Sequence, residues 1–174
     1  RTGLIIQKPN LMPWRDLNEN IGLPLELEGA PKNEIERKVR ETVALVGLAG
    51  FEHSWPHELS GGMAQRAAIA RSLVQDPDIL LLDEPFASLD ELTRERMSEE
   101  LLRIWNEKRK TILMVTHSIP EAVYLADRVL VLSRFPSGIV LDLPIDLPRP
   151  RDSQARFSPS FAKASRILHD HLKI

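Results

Sequence analysis

The chain has 174 residues, of which 43% are apolar and 28% charged, and its formal net charge is −2. This is the composition of a globular domain with a real core, and it offers no strongly basic surface for a nucleic acid. There is no cysteine, which excludes disulfides and thiolate metal sites. No apolar stretch is long enough to cross a bilayer as a helix.

In chain order, "GLII" (Gly3–Ile6) reads as a short buried strand, and Pro9 and Pro13 punctuate a loop through Trp14. The spacing Ile35, Val39, Val43, Val46 marks one apolar face of a helix between Pro31 and Val46, ended by Gly47 and Gly50. "FEHSWPHE" is irregular, because Pro56 forbids a helix running through it. A second helix starts at Ser60–Gly61 and stops before Pro77. The pattern then changes to continuous apolar runs: "DILLLDE" (Asp78–Glu84), "TILMVTH" (Thr111–His117), "RVLVLS" (Arg128–Ser133) and "GIVLDL" (Gly138–Leu143). Such runs suit strands buried on both faces, as in parallel sheets. Helices over Glu91–Lys108 and Ser118–Ala126 separate the first three runs, so the alternation predicts an α/β fold with a mostly parallel sheet. The tail from Pro144 is rich in proline and arginine and closes on an amphipathic helix near Phe161–Leu172. The expected organisation is a mainly helical part over 8–76, an α/β core over 77–143 and a tail over 144–174.

Several residues carry candidate chemistry. Asp83 and Glu84 end a buried strand, and in open α/β sheets ligands bind at the carboxyl ends of the strands. One acid can hold Mg²⁺ while the next faces an attacking water. Taken alone, the pair is equally a strand end reaching solvent. His117 ends the next strand; on a neighbouring strand it would share that rim, where an imidazole can orient water beside a phosphate. Ser118 and Glu121 read as a capping box for the following helix. "LSGGMAQR" (Leu59–Arg66) opens a helix whose first turn contains Ser60, Gly61 and Gly62 and no acid. Its N–H groups and dipole therefore favour an external anion. No phosphate loop accompanies it, since the chain contains no Gly-Lys pair. His53 and His57 are four apart, but Pro56 between them argues for surface histidines over metal ligands.

In this order, "LSGGMAQR", "ILLLDEPFASLD" and a Thr-His at the end of the next strand resemble the nucleotide-binding subunit of ABC transporters. The resemblance covers essentially the whole chain and implies a P-loop NTPase-like fold with ATP and Mg²⁺ as cofactors. It implies that Gln7 is the Q-loop glutamine, contacting Mg²⁺ or the attacking water. Leu59 to Gln65 becomes the signature, with Ser60, Gly61, Gly62 and Gln65 toward nucleotide. Asp83 becomes the Walker B acid on Mg²⁺ and Glu84 the catalytic carboxylate. Ser88-Leu-Asp90 becomes the D-loop, with Asp90 near nucleotide, and His117 the switch histidine. Ala87-Ser88 stands where relatives often have Gly-Ala.

Subunits of this family pair head to tail around two ATP molecules, so the signature is half a site, completed in trans. The family's Walker A loop and adenine-stacking aromatic precede the Q-loop and are absent from these residues. The first residue is arginine rather than methionine. The chain is therefore expected to be the downstream part of a longer protein, and alone to be inactive. "PNLMPWRDLNENIGLPLEL", "PHELSGGMAQR", "DEPFASLDELTRERM", "EAVYLADRVLVLS" and "IDLPRPR" look like the nitrate/sulfonate/taurine importer ATPases. That type implies a homodimer bound to transmembrane permease subunits at the cytoplasmic face of the membrane. It implies a solute-binding protein acting indirectly, and no nucleic-acid partner. The loop around Trp14 is expected to face the permease, the alternative being a tryptophan plugged into the core. A soluble ABC-type ATPase and a non-catalytic remnant are the competing readings.

Overall fold

The computed structural model describes residues 1–133 and 138–172. Contacts divide the chain into two compact units, Arg1–Val115 and Thr116–Ile174. The α/β stretch expected over 77–143 thus contributes to both.

In the first unit β1 (Thr2–Ile5), β2 (Ile79–Asp83) and β3 (Thr111–Val115) form a sheet in the order β1-β2-β3, and both pairings are parallel. Ile5 lies opposite Leu82, and Asp83 opposite Val115, so the carboxyl ends of the strands share one rim. β2 and β3 fall within their expected apolar runs, β1 begins one residue before its run, and all three stop short of the run's end. Burial differs from expectation. Ile5, Leu80 and Leu82 are buried, whereas Leu4, Leu113 and Val115 are each more than half exposed. Alternate residues of a strand point to opposite faces, so one face of this sheet is packed and the other is apolar and open.

Parallel neighbours need long crossovers. Helix α4 (Glu91–Lys108) crosses from β2 to β3, over the predicted residues, and buries Met97, Leu101, Leu102 and Ile104. The β1-to-β2 connection carries α1 (Leu17–Leu27), α2 (Lys32–Leu45) and α3 (Gly61–Leu73). Helix α1 was not among the elements expected from sequence, because Pro24 lies inside it. It forms because its start is fully capped. The Asp16 carboxylate accepts from Glu19 N–H at 2.8 Å, and the Glu19 carboxylate accepts from Asp16 N–H at 3.0 Å. The N–H groups of Leu17 and Asn18 donate to the carbonyls of Ser54 and Glu52. Its Leu17–Ile21–Leu25 stripe is buried. Gly22 lets α2 close in, since a Cβ there would stand 3.1 Å from Ile35 Cγ2. Helix α2 buries Val39 and Val43 as its spacing predicts. Helix α3 is the hub, with Ala67, Ala68, Ile69, Ala70 and Leu73 buried among α1, α2, α4 and β1.

The loop before α1 is organised by one fully buried side chain. The Asn20 carbonyl oxygen accepts from Met12 N–H at 2.7 Å. Its amide nitrogen donates to the carbonyls of Met12, Arg15 and Asp16.

In the second unit β4 (Arg128–Leu132) and β5 (Ile139–Pro144) pair antiparallel, so these two runs are a hairpin and not part of the parallel sheet. They pack with α5 (Ile119–Leu125) and α6 (Pro159–Leu172) around Val123, Val131, Ile145, Leu147 and Leu168. The arginine-rich tail is ordered from within. Arg151 is buried and donates to the carbonyls of Tyr124, Ala126 and Leu147, and the Arg156 guanidinium stacks 3.9 Å over the Tyr124 ring.

Replacing Asn20 by alanine strands the Met12 N–H, so stability should fall by about 1–3 kcal/mol. A urea titration of the purified chain reads this as a lower midpoint with an unchanged slope.

Candidate functional site

Helix α3 begins at Ser60, whose extended backbone and side chain make it the N-cap: Oγ accepts from Met63 N–H at 3.3 Å. Ser60 and Gly61 are exposed, and the first turn holds no acidic residue. The N-terminal partial positive charge of the helix is therefore uncompensated by its own sequence. The glycines also have a packing role that sequence reasoning did not assign. A Cβ on Gly61 would meet Leu89 Cδ2 at 3.3 Å, and one on Gly62 would meet Thr93 Cγ2 at 3.0 Å. Two side-chain-free positions thus let the start of α3 abut the start of α4.

Asp83 is the last residue of β2 and is exposed. Glu84, half-buried, turns the chain with φ +45°, a left-handed conformation costly for a residue with a Cβ. Two hydrogen bonds hold it there. Glu84 N–H donates to the Val115 carbonyl at 2.9 Å, and its own carbonyl accepts from Ala87 N–H at 3.2 Å. Buried Phe86 and Leu89 then anchor the segment leading to Asp90, which caps α4 by accepting from Thr93 N–H at 3.0 Å. Hydrogen bonding to Thr93 holds the Asp90 carboxyl below its usual value. Gln7 follows β1 by two residues and is exposed. Because β1 and β2 are parallel neighbours, Gln7 and the Asp83–Glu84 pair leave the sheet at the same rim.

Gln65 stands apart from the other expected residues. Its side chain is fully buried in α3, and neither amide atom has a hydrogen-bond partner among the described residues. It faces the interior of the helical layer and not the exposed helix start.

His117 belongs to the second unit, two residues beyond the last residue of β3, and is exposed. The turn that carries it is closed by a relay, not by the expected capping box. Ser118 Oγ accepts from Glu121 N–H at 3.4 Å as foreseen. The buried Glu121 carboxylate, however, accepts from Thr116 Oγ1 at 2.8 Å, and Thr116 Oγ1 accepts from Ser118 N–H at 3.0 Å. Thr116 belongs to the Thr-His pair quoted from the sequence, which gives it no role of its own; the hydroxyl directly before the histidine is the available signal.

The donor set suits Mg²⁺ held with phosphate. No group of three or more His, Cys, Asp or Glu side chains forms a metal cage among the described residues. An exposed carboxylate such as Asp83 is the hard oxygen ligand that Mg²⁺ shares with substrate phosphates. His53 pairs with Asp16 at 3.0 Å and not with His57.

A parallel sheet with two acids at its carboxyl rim and helices in its crossovers is the frame of a P-loop NTPase-like α/β protein. Residues 1–87 match the family model described as ABC transporter, and the chain belongs to that family. It is 48% identical over 171 residues to an uncharacterized ABC transporter ATP-binding protein of Methanocaldococcus jannaschii, covering 98% of this chain and 64% of that one. It is 46% identical over 159 residues to the aliphatic sulfonates import ATP-binding protein SsuB of Bacillus licheniformis, covering 91% and 60%. Among solved structures it resembles the ATP-binding cassette MJ0796, a dimer in a post-hydrolysis state bound to ADP and Pi. The TM-score is 0.63 at 34% identity, over 75% of this chain and 57% of that one. The chain thus spans less than two thirds of the length of these relatives.

Gly62→Val should cost about 1–3 kcal/mol by overpacking the α3–α4 contact. Adding Thr93→Ser, which removes the opposing methyl, should recover part of the loss. Thermal denaturation of both single variants and the double variant gives the coupling.

Proposed function

We propose that the chain forms most of the ATP-hydrolysing, energy-coupling subunit of an ABC importer for a small solute. An aliphatic sulfonate, nitrate or taurine fits the likeness to SsuB and the importer-type motifs. The observation that carries the reading is Glu84: a carboxylate held in a left-handed turn directly after Asp83, on the rim of a parallel sheet.

Bound Mg²⁺ and ATP supply the γ-phosphoryl group that passes to water. Asp83 and Gln7 are the residues that would hold the Mg²⁺. Glu84 takes the proton of the attacking water through its carboxylate, the role of a general base. His117 orients that water through its imidazole. Ser60, Gly61 and Gly62, at the open end of α3, take up negative charge on a nucleotide held by the other subunit of a homodimer. Asp90, at the start of α4, lies toward the same nucleotide. The dimeric state of MJ0796 supports this pairing.

Trp14 is 69% exposed, which favours a docking role over a core plug. We assign the loop around it to the permease subunits, with the ATPase at the cytoplasmic face of the membrane and the solute-binding protein acting through the permease. No helix among the described residues is long and apolar enough to cross a membrane.

In the full-length subunit Glu84→Gln should retain ATP binding and lower single-turnover hydrolysis by a factor of about 10²–10⁴. A rate within twofold of the parent, in the assay's own scatter, removes Glu84 from this role.

The Trp14 loop offers an independent check. These 174 residues contain no cysteine, so Pro13→Cys, in a full-length subunit and permease freed of any other cysteine, provides a single attachment point for a crosslinker. In the assembled transporter it should capture the permease. Capture of ATPase subunits alone overturns the assignment.

A further inference from the structure

Gln7 has no secondary structure of its own, yet the backbone on both sides of it is tied to one helix. Before it, Ser72 Oγ donates to the Leu4 carbonyl at 3.1 Å. After it, Arg71 donates from Nη2 to the Pro9 carbonyl at 2.8 Å and from Nη1 to the Asn10 carbonyl at 2.9 Å. The two donors are consecutive residues in the last turn of α3, the helix that carries Ser60 at its other end. Asn10 is left-handed, with φ +46°, so the chain turns sharply where the two carbonyls meet Arg71. A planar guanidinium fork can meet both, which a lysine ammonium cannot do with the same geometry. Burial pushes the Arg71 guanidinium below its usual value, and among the described residues its partners are these carbonyls and no carboxylate. A half-buried cation thus shapes one turn of backbone, and the planar fork ties two carbonyls of that turn to one helix.

We propose that Arg71 is a positioning residue for Gln7: with Ser72 it pins the segment Leu4–Asn10 to the far end of the signature helix, so that Gln7 and Ser60 move as parts of one body. Helix α3 has 13 residues, about 20 Å at 1.5 Å per residue, and it links the two groups without a flexible joint. What Gln7 does once positioned rests on the functional reading above; the clamp itself does not.

The experiment compares Arg71→Met and Arg71→Lys with the parent. Hydrogen exchange on this chain reads the clamp. In Arg71→Met the amides of Met12 and Arg15, which donate to Asn20 Oδ1 at 2.7 Å and to the Met12 carbonyl at 3.1 Å, should exchange about tenfold faster or more as the pinned turn before them loosens. The interior amides of α3 at Ala67–Ala70 should stay within about twofold, as expected of a local opening. Arg71→Lys should fall between, because one ammonium keeps one carbonyl. In the full-length subunit kcat should fall about tenfold or more while KM for ATP stays within about threefold, the signature of a misplaced group and not of lost binding. Unchanged exchange in the loop overturns the clamp, and equal loosening of loop and helix reduces Arg71 to a general stabiliser. A loosened loop with undiminished kcat overturns the positioning role. A parent subunit that hydrolyses no ATP overturns the functional reading and the role of Gln7 with it, while the exchange comparison still decides the clamp. Should Arg71→Met fail to fold, Arg71→Lys carries both comparisons.

Discussion

The parallel pairing of β2 with strands on both of its edges is the constraint on which the rest of the first unit depends. The buried face of β2, carrying Leu80 and Leu82, specifies its register, and that register puts Asp83 opposite Val115 and Leu82 opposite Ile5. The ladder extends one residue further, through Glu84 N–H to the Val115 carbonyl, while the chain must already turn toward α4. The left-handed backbone of Glu84 is the outcome of these two demands. Its strain, of order 1–3 kcal/mol, persists because pairing on one side and buried Phe86 and Leu89 on the other allow no relaxed alternative.

The second determinant is the small cross-section of α3. Its alanines and paired glycines let three helices and a strand approach one axis. Close approach of backbones gives little side-chain area, so polar connections matter more here than in a core of large residues. Arg66 donates to the carbonyls of Val46 and Gly47, Arg71 to those of Pro9 and Asn10, and Ser72 to that of Leu4. Each satisfies a carbonyl at a helix end, in a turn or on the edge strand β1, groups that secondary structure leaves unpaired. The same logic appears in the second unit, where Arg151 satisfies three carbonyls from inside the core.

The candidate site residues differ in how directly the sequence exposed them. Asp83, Glu84 and Ser60 sit at the ends of strongly patterned elements, and such ends are legible because the pattern stops there. Gln65 shares the same motif as Ser60, yet it faces inward. Five residues advance a helix by 1.4 turns at 3.6 residues per turn, and the motif alone does not say which face a neighbouring helix will cover. The turn carrying His117 was half legible: Ser118 caps α5 as its spacing indicates, but Glu121 bonds the Thr116 hydroxyl instead of the Ser118 N–H.

By itself the sequence determined the helices with periodic apolar faces, the apolar strands, the helix start at Ser60 and the acids after "ILLL", because these follow from periodicity and end chemistry within a few residues. It also carried the signal for α1, the Asp16–Glu19 capping box, masked by Pro24. Only the tertiary structure decided the order β1-β2-β3, the separation of the β4–β5 hairpin from that sheet, the open face bearing Leu4 and Leu113, and the bracket of Ser72 and Arg71 around Gln7. The sheet order and the bracket depend on partners some 30 to 80 positions apart, such as Asp83 with Val115, Arg71 with Pro9 or Leu82 with Ile5. A hydrogen bond or strand pairing of that separation leaves no period in the sequence, since any carbonyl can accept and any strand can pair until the packed core selects one.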